Sequence, residues 1–216
     1  MRSLHFGRDY DRPLIHSFEP SRDPSATVHT GFEAKIIYHF KMIRKLEIRE
    51  SHPCDITKIE QLYTETFPDE DLLPLVRNLQ GFGKGVISLV GILEDEVVGH
   101  ISFTFCHVEV EKNKVALLGP LAVTPTLHKQ GIGSELIQMG FKRMKNSKIG
   151  HVFVLGDPAF YGRFGFTPEN KVLTPYQLPA EWDGAWQSIC LCDSKMPHEG
   201  QLSVPEPWRD ISLWTS

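Results

Sequence analysis

No stretch of this 216-residue chain approaches the ~18 to 20 consecutive apolar residues that a helix needs to cross a bilayer, so no membrane span is expected. The N-terminus also lacks the apolar core of a secretory signal. A surplus of positive charge is missing: 23 Lys and Arg stand against 27 Asp and Glu, for a formal net charge of −4. No overall basic field exists to hold nucleic acid or an anionic membrane, and neither is expected as a partner. Cysteine is scarce. The four, Cys54, Cys106, Cys190 and Cys192, include no Cys-x-x-Cys pair and have no histidine at ligand spacing beside them. Two close thiols alone do not make a structural zinc site, so the expectation is free thiols in a reducing, cytoplasmic compartment and no metal. Internal repeats and low-complexity runs are absent as well.

What is present is an ordinary globular composition, 41% hydrophobic and 23% charged, in a chain long enough for one domain with a substantial core. Its organising stretch runs from Leu118 to Ser134. Residues Leu117 to Val123 are apolar enough for a strand buried on both faces, and Ile132, Leu136, Ile137, Gly140, Phe141 and Met144 recur at helical spacing. Between strand and helix, Gly131 and Gly133 let backbone N–H groups point outward at a helix N-terminus, where unpaired donors and the dipole favour an anion. Ser134 adds a hydroxyl on the first turn. Neither a Walker A lysine nor a full dinucleotide fingerprint accompanies these glycines, and a bare Gly-x-Gly at a helix start also reads as plain turn chemistry.

The order of residues narrows the choice. Leu121-Ala122-Val123 followed by His128-Lys129-Gln130-Gly131-Ile132-Gly133 resembles motif A of the GNAT superfamily of acyl-CoA N-acyltransferases, an apolar strand followed by Gln/Arg-x-x-Gly-x-Gly/Ala. His128 stands where that family usually has Gln or Arg. A second block, Leu155-Gly156-Asp157-Pro158-Ala159-Phe160-Tyr161-Gly162-Arg163-Phe164-Gly165-Phe166, is similar to the family's Phe-Tyr-x-x-x-Gly-Phe ending, and its wording is similar to the YhbS-like branch. The resemblance implies an α/β (α+β) fold with a mixed central sheet of about six to seven strands, a bulged and splayed pair of central parallel strands and flanking helices. It implies acetyl-CoA as the acyl donor. The backbones of Leu121, Ala122 and Val123 would hold the pantetheine arm and polarise the thioester carbonyl. The segment His128, Lys129, Gln130, Gly131, Ile132, Gly133 and Ser134 would hold the pyrophosphate, and Tyr161 would protonate the leaving thiolate.

The rest of the chain fits one domain. Residues 1–45 carry Pro13, Pro20, Pro24 and scattered charges of both signs, and are expected to be a disordered extension, or to precede a true start at Met42. The domain is expected over 46–216. Its first strand lies near Lys45 to Glu50, and a helix begins after Asp55 as N-cap, with Ile56, Ile59, Leu62, Tyr63 and Phe67 on one face. A second short helix spans Leu72 to Leu79, two strands follow over Val86 to Leu93 and Val97 to Glu109, and the central strand covers Val115 to Val123. Pro120 lacks an N–H inside that central strand, which predicts a local bulge. Asp157 and Pro158 open a short helix as cap and first residue. Arg163 is expected to be buried against a carbonyl or carboxylate. The tail after Val172 should pack as edge strands and loops, because Trp182, Trp186, Trp208 and Trp214 would otherwise face water. An exposed edge there could pair two copies into a homodimer.

Acyl transfer needs a neutral amine, a polarised carbonyl and a proton for the leaving thiolate. A phenol with an ordinary pKa near ~10 stays protonated at neutral pH and suits the last task, although Tyr161 between Phe160 and Phe164 also reads as a core aromatic. For the base, Asp157, Glu109, Glu111, His107, His100 and the acidic run Asp69 to Asp71 stand side by side with a water relay. The expected activity is N-acetyl transfer from acetyl-CoA to a primary amine, on a small molecule or a protein, by direct attack in a ternary complex. The alternatives are a catalytically silent acyl-CoA sensor and an interaction protein that uses the fold as a scaffold.

Overall fold

A computed structural model describes residues 45–109, 114–182, 184–191 and 199–215. The readings placed on 1–44, Glu111 and Cys192 lie outside the described residues.

The period-two and continuous apolar runs become strands β1 (Glu47–Glu50), β2 (Val86–Leu93), β3 (Glu96–Val108), β4 (Lys114–Val123) and β5 (His151–Leu155). Four more strands follow: β6 (Thr167–Pro168), β7 (Val172–Leu173), β8 (Trp186–Cys190) and β9 (Gly200–Ser203). The main path runs β1-β2-β3-β4-β5-β8-β6, while β9 joins the far end of β3 and β7. Pairing along it is antiparallel except between β4 and β5. The sheet is therefore mixed, with one central parallel pair. Glu94 and Asp95, at φ 51° and 66°, make the two-residue turn between β2 and β3, where Leu93 faces Glu96.

Helices cover both faces. Helix α1 (Ile56–Thr66) and helix α2 (Leu73–Gly81) bury Ile59, Leu62, Tyr63, Leu75, Val76 and Leu79 against one of them. Helix α3 (Ile132–Asn146) buries Ile132, Leu136, Ile137 and Met144 against the other. Gly140 sets how closely α3 approaches, since a Cβ there would overlap the edge of the Phe103 ring. The short helix α4 (Pro158–Tyr161) is capped as expected, with Asp157 Oδ1 accepting from Ala159 N at 2.8 Å. The tail returns through β8 and β9 to helix α5 (Ser212–Thr215), burying Trp186, Trp208 and Trp214, with Trp182 half-buried.

Two local expectations are corrected. Asp55 does not cap α1. Its carboxylate, only 7% exposed, instead accepts from Arg49 Nη1 and Nη2 at 2.6 and 2.9 Å and from His52 N at 2.7 Å, clamping β1 to the chain entering α1. The Arg49 hydrogen bonds hold this carboxyl below its ordinary 3.8. Its stabilisation is thus complete above 3.8 and is lost as pH falls through the lower folded value. Asp55→Asn should cost about 2 kcal/mol near neutral pH. In thermal melts the gap between variant and wild type should close as the pH is lowered beyond 3.8. Arg163 is exposed rather than buried. It does meet a carbonyl, donating from Nε to Phe160 O at 3.2 Å, while its guanidinium lies over the Phe160 and Phe164 rings at 4.7 and 5.6 Å.

Candidate active site

The central parallel pair is short. Ala116, Leu117 and Leu118 of β4 face Val152, Phe153 and Val154 of β5, and the pairing stops there. On the other side β4 stays paired to β3, with Ile101 opposite Leu121, His100 opposite Ala122 and Gly99 opposite Val123. Between Leu118 and Leu121 the register slips, so Gly119 and Pro120 share the single partner position of Ser102. That is the bulge which a proline without an N–H predicts. Among the described residues, no strand pairs with Leu121–Val123 on the β5 side. A wedge opens there, bounded by a strand edge that an extended, amide-bearing chain can use.

At the open end of the wedge the chain turns through Pro125–Leu127 into α3. His128 donates through Nε2 to Val123 O at 2.7 Å, tying this turn to the end of β4. Lys129 at φ 63° and Gly131 at φ 82° bend the backbone so that α3 starts at Ile132. The first helical bond of the turn runs from Glu135 N to Gly131 O at 3.0 Å. The N–H groups of Ile132, Gly133 and Ser134 have no acceptor within the helix, and Gly131 at the N-cap has no side chain to occupy them. These donors line a shallow recess with Val123, His128 and Phe160. A 15-residue helix adds its dipole, and Lys129 is exposed beside it.

The structure thus brings Val123 and His128 together with the backbone of Gly131–Ser134. Leu121 and Ala122 contribute strand edge while their side chains are buried in the core. Gln130 is turned back, donating from Nε2 to Thr126 O at 3.3 Å. Tyr161 is only 1% exposed, edge-on to Phe160 at 4.9 Å and to Phe166 at 5.6 Å, in the core cluster that includes Leu118, Leu121 and Val154 around the wedge.

The candidate bases are scattered. His107 and Glu109 are exposed at the end of β3, and Asp157 is committed to its cap. His100, opposite Ala122, is sealed at 1% exposure. Its Nε2 lies 2.8 Å from Ser88 Oγ and 3.1 Å from Gln80 Nε2, and its Nδ1 lies 2.9 Å from Tyr63 Oη. An amide nitrogen only donates, so Nε2 accepts and the ring proton sits on Nδ1. Burial pushes this imidazole down to about 3. It stays neutral in the folded chain while the unfolded chain protonates below its ordinary 6.5. Stability is then complete above 6.5 and falls as the pH is lowered toward about 3, by up to tenfold in the folding constant per pH unit. Denaturant titrations across that range should show this slope in the wild type, and His100→Gln should remove it.

Burial raises the Cys106 thiol to about 12, which leaves it inert, whereas Cys54 and Cys190 are exposed. Among the described residues no group of three or more His, Cys, Asp or Glu side chains is placed to hold a metal ion, and no helix is long and apolar enough to cross a membrane.

The model of the acetyltransferase (GNAT) family matches residues 56–166, from α1 through the second motif block. The uncharacterized N-acetyltransferase YjhQ of Escherichia coli is 29% identical over 160 residues, 71% of this chain and 88% of that protein. The uncharacterized N-acetyltransferase YhbS of E. coli is 29% identical over 138 residues, 63% of this chain and 80% of that one. The crystal structure of E. coli YhbS in complex with CoA superposes with a TM-score of 0.69 at 26% identity, covering 76% of this chain and 92% of that one. A Brucella melitensis GNAT-family acetyltransferase solved with acetyl-CoA shares the fold, with a TM-score of 0.62 at 24% identity over 76% of this chain and 97% of that one.

Proposed function

This chain belongs to the acetyltransferase (GNAT) family, and we propose that it transfers an acetyl group from acetyl-CoA to a primary amine by direct attack in a ternary complex. One observation carries the reading: the central parallel pair opens just past Leu118 and Val154, and the uncapped N-terminus of α3 stands at the open end. The pantetheine arm lies along Leu121, Ala122 and Val123 as a substitute strand. The pyrophosphate sits on the N–H groups of Gly131 to Ser134, with Lys129 adding charge. His128 positions this cradle through Val123 rather than gripping the phosphate, which is how the chain does without the usual Gln or Arg. A β4 N–H polarises the thioester carbonyl, the amine attacks it and passes a proton to water, and the C–S bond breaks as Tyr161 gives its proton to the leaving thiolate, the phenolate then recovering a proton from water. That YhbS is seen with CoA supports the same donor here.

The sealed position of Tyr161 favours one second reading, a CoA-binding protein without turnover. Calorimetric titration with acetyl-CoA, followed by thiol release against a panel of primary amines, tests both. Binding with amine-dependent release supports the enzyme, binding without release supports the silent binder, and no binding overturns the donor site.

A further inference from the structure

At the fork where β4 and β5 part, a small hollow lies on the sheet face opposite α3. Leu117, Leu118 and Leu155 bound it from the sheet, and Trp208, Leu213 and Trp214 close it from the C-terminal segment. Its volume is about 10 Å³, room for one water-sized or methyl-sized group. Every lining side chain is apolar or already committed: Trp208 Nε1 donates to Thr104 Oγ1, and Trp214 Nε1 to Trp208 O, each at 2.9 Å. The two indoles pack edge to face at 6.1 Å, and Trp214 packs likewise on Trp186 at 6.2 Å, so the wall is stiff.

The position of the hollow gives it a role, which rests on the donor reading above. With the pyrophosphate at Gly131–Ser134, the arm runs back along β4 from Val123 toward Leu118, about 16 Å of strand before the bulge shortens it. The thioester end then arrives at the fork. We propose that Trp208, Leu213 and Trp214 form the end wall of the acyl subsite and restrict the donor to acetyl-CoA. All three lie beyond residues 56–166, so acyl selectivity is set by a segment outside the family-defining motifs.

Leu213 is the residue to vary, because it is half-buried while the two indoles hold the core. Calorimetric titration of the full chain with CoA, acetyl-CoA and butyryl-CoA requires no knowledge of the acceptor. The wild type should bind butyryl-CoA about tenfold more weakly than acetyl-CoA, the scale of forcing methylenes into a packed site. Leu213→Ala should narrow that ratio to about threefold or less with CoA affinity unchanged. Leu213→Phe, which fills the hollow instead of enlarging it, should weaken acetyl-CoA about tenfold relative to CoA. Equal wild-type affinity for the two acyl-CoAs, or a ratio that neither variant moves, overturns the proposal while leaving the donor site standing. Failure of all three ligands to bind overturns the donor site and this wall together.

Discussion

Gly133→Ala is expected to leave the folded chain at least as stable as wild type while weakening acetyl-CoA binding ten- to a hundredfold. A Cβ at this position would meet Phe160 Cζ and Val123 Cγ2 at 3.8 Å and Leu121 Cδ2 at 3.9 Å, ordinary van der Waals contacts that require no neighbour to move. The residue lies in the first turn of α3, where alanine is favoured over glycine by roughly 0.5–1 kcal/mol. Nothing inside the fold therefore requires glycine at 133. The requirement comes from the ligand side, where a pyrophosphate must lie directly on the N–H groups of the turn. A methyl group there lifts it off donors worth about 1.5–3 kcal/mol each toward a charged group, which is the stated loss in affinity. Gly131 is a different case, because its φ of 82° makes any side chain there strained in the free protein. Thermal melts and calorimetric titrations of Gly133→Ala separate the two kinds of glycine. A raised melting temperature with undiminished affinity would place the pyrophosphate somewhere other than this turn.

The contrast between these glycines shows what the sequence makes legible. Features written in consecutive residues come through: the strand of Val86–Leu93, the bulge that Pro120 imposes, the turn into α3 and the cap at Asp157. Each follows from a local covalent fact, such as a missing N–H or a missing Cβ. Among the described residues the main path of the sheet has seven strands, within the about six to seven expected, and β7 and β9 lie off it; β6 and β7 themselves are two residues each, too short to carry a period. Asp55 sits where a cap belongs, but Arg49 on β1 claims its carboxylate, and a two-bond pair with a guanidinium outweighs a cap on one backbone N–H. His100 looks like a candidate base in a list of residues. Only the convergence of α1, α2 and β2 shows that it is enclosed and neutral. The wall at the fork is the least legible part, since Trp208 reaches Thr104 across 104 positions of sequence. The need to bury the tryptophans was readable, but what they would enclose was not.

Tyr161→Phe is expected to lower amine-dependent thiol release by about 10²- to 10⁴-fold at neutral pH, with acetyl-CoA affinity within about twofold of wild type. The change removes one oxygen and keeps the ring that packs edge-on to Phe160 and Phe166, so the surrounding core retains its shape. Its stability cost should be about 1 kcal/mol, the net worth of one buried hydroxyl in a hydrogen bond. A structural role alone would predict that small stability change and no kinetic one. The pH profile discriminates further, because a proton donor matters only while the leaving group needs one. With an ordinary thiol pKa near ~8.5, the thiolate departs increasingly well on its own as the pH rises past that value, so the deficit of Tyr161→Phe should shrink there. Tyr161 is buried, so turnover requires the pantetheine arm to enter the wedge and bring its sulfur within reach of the phenol. If Tyr161→Phe releases thiol at the wild-type rate at pH 7, the tyrosine is a core aromatic and the proton comes from elsewhere. If wild type and variant both bind acetyl-CoA and neither releases thiol with any amine in the panel, the chain is a binder.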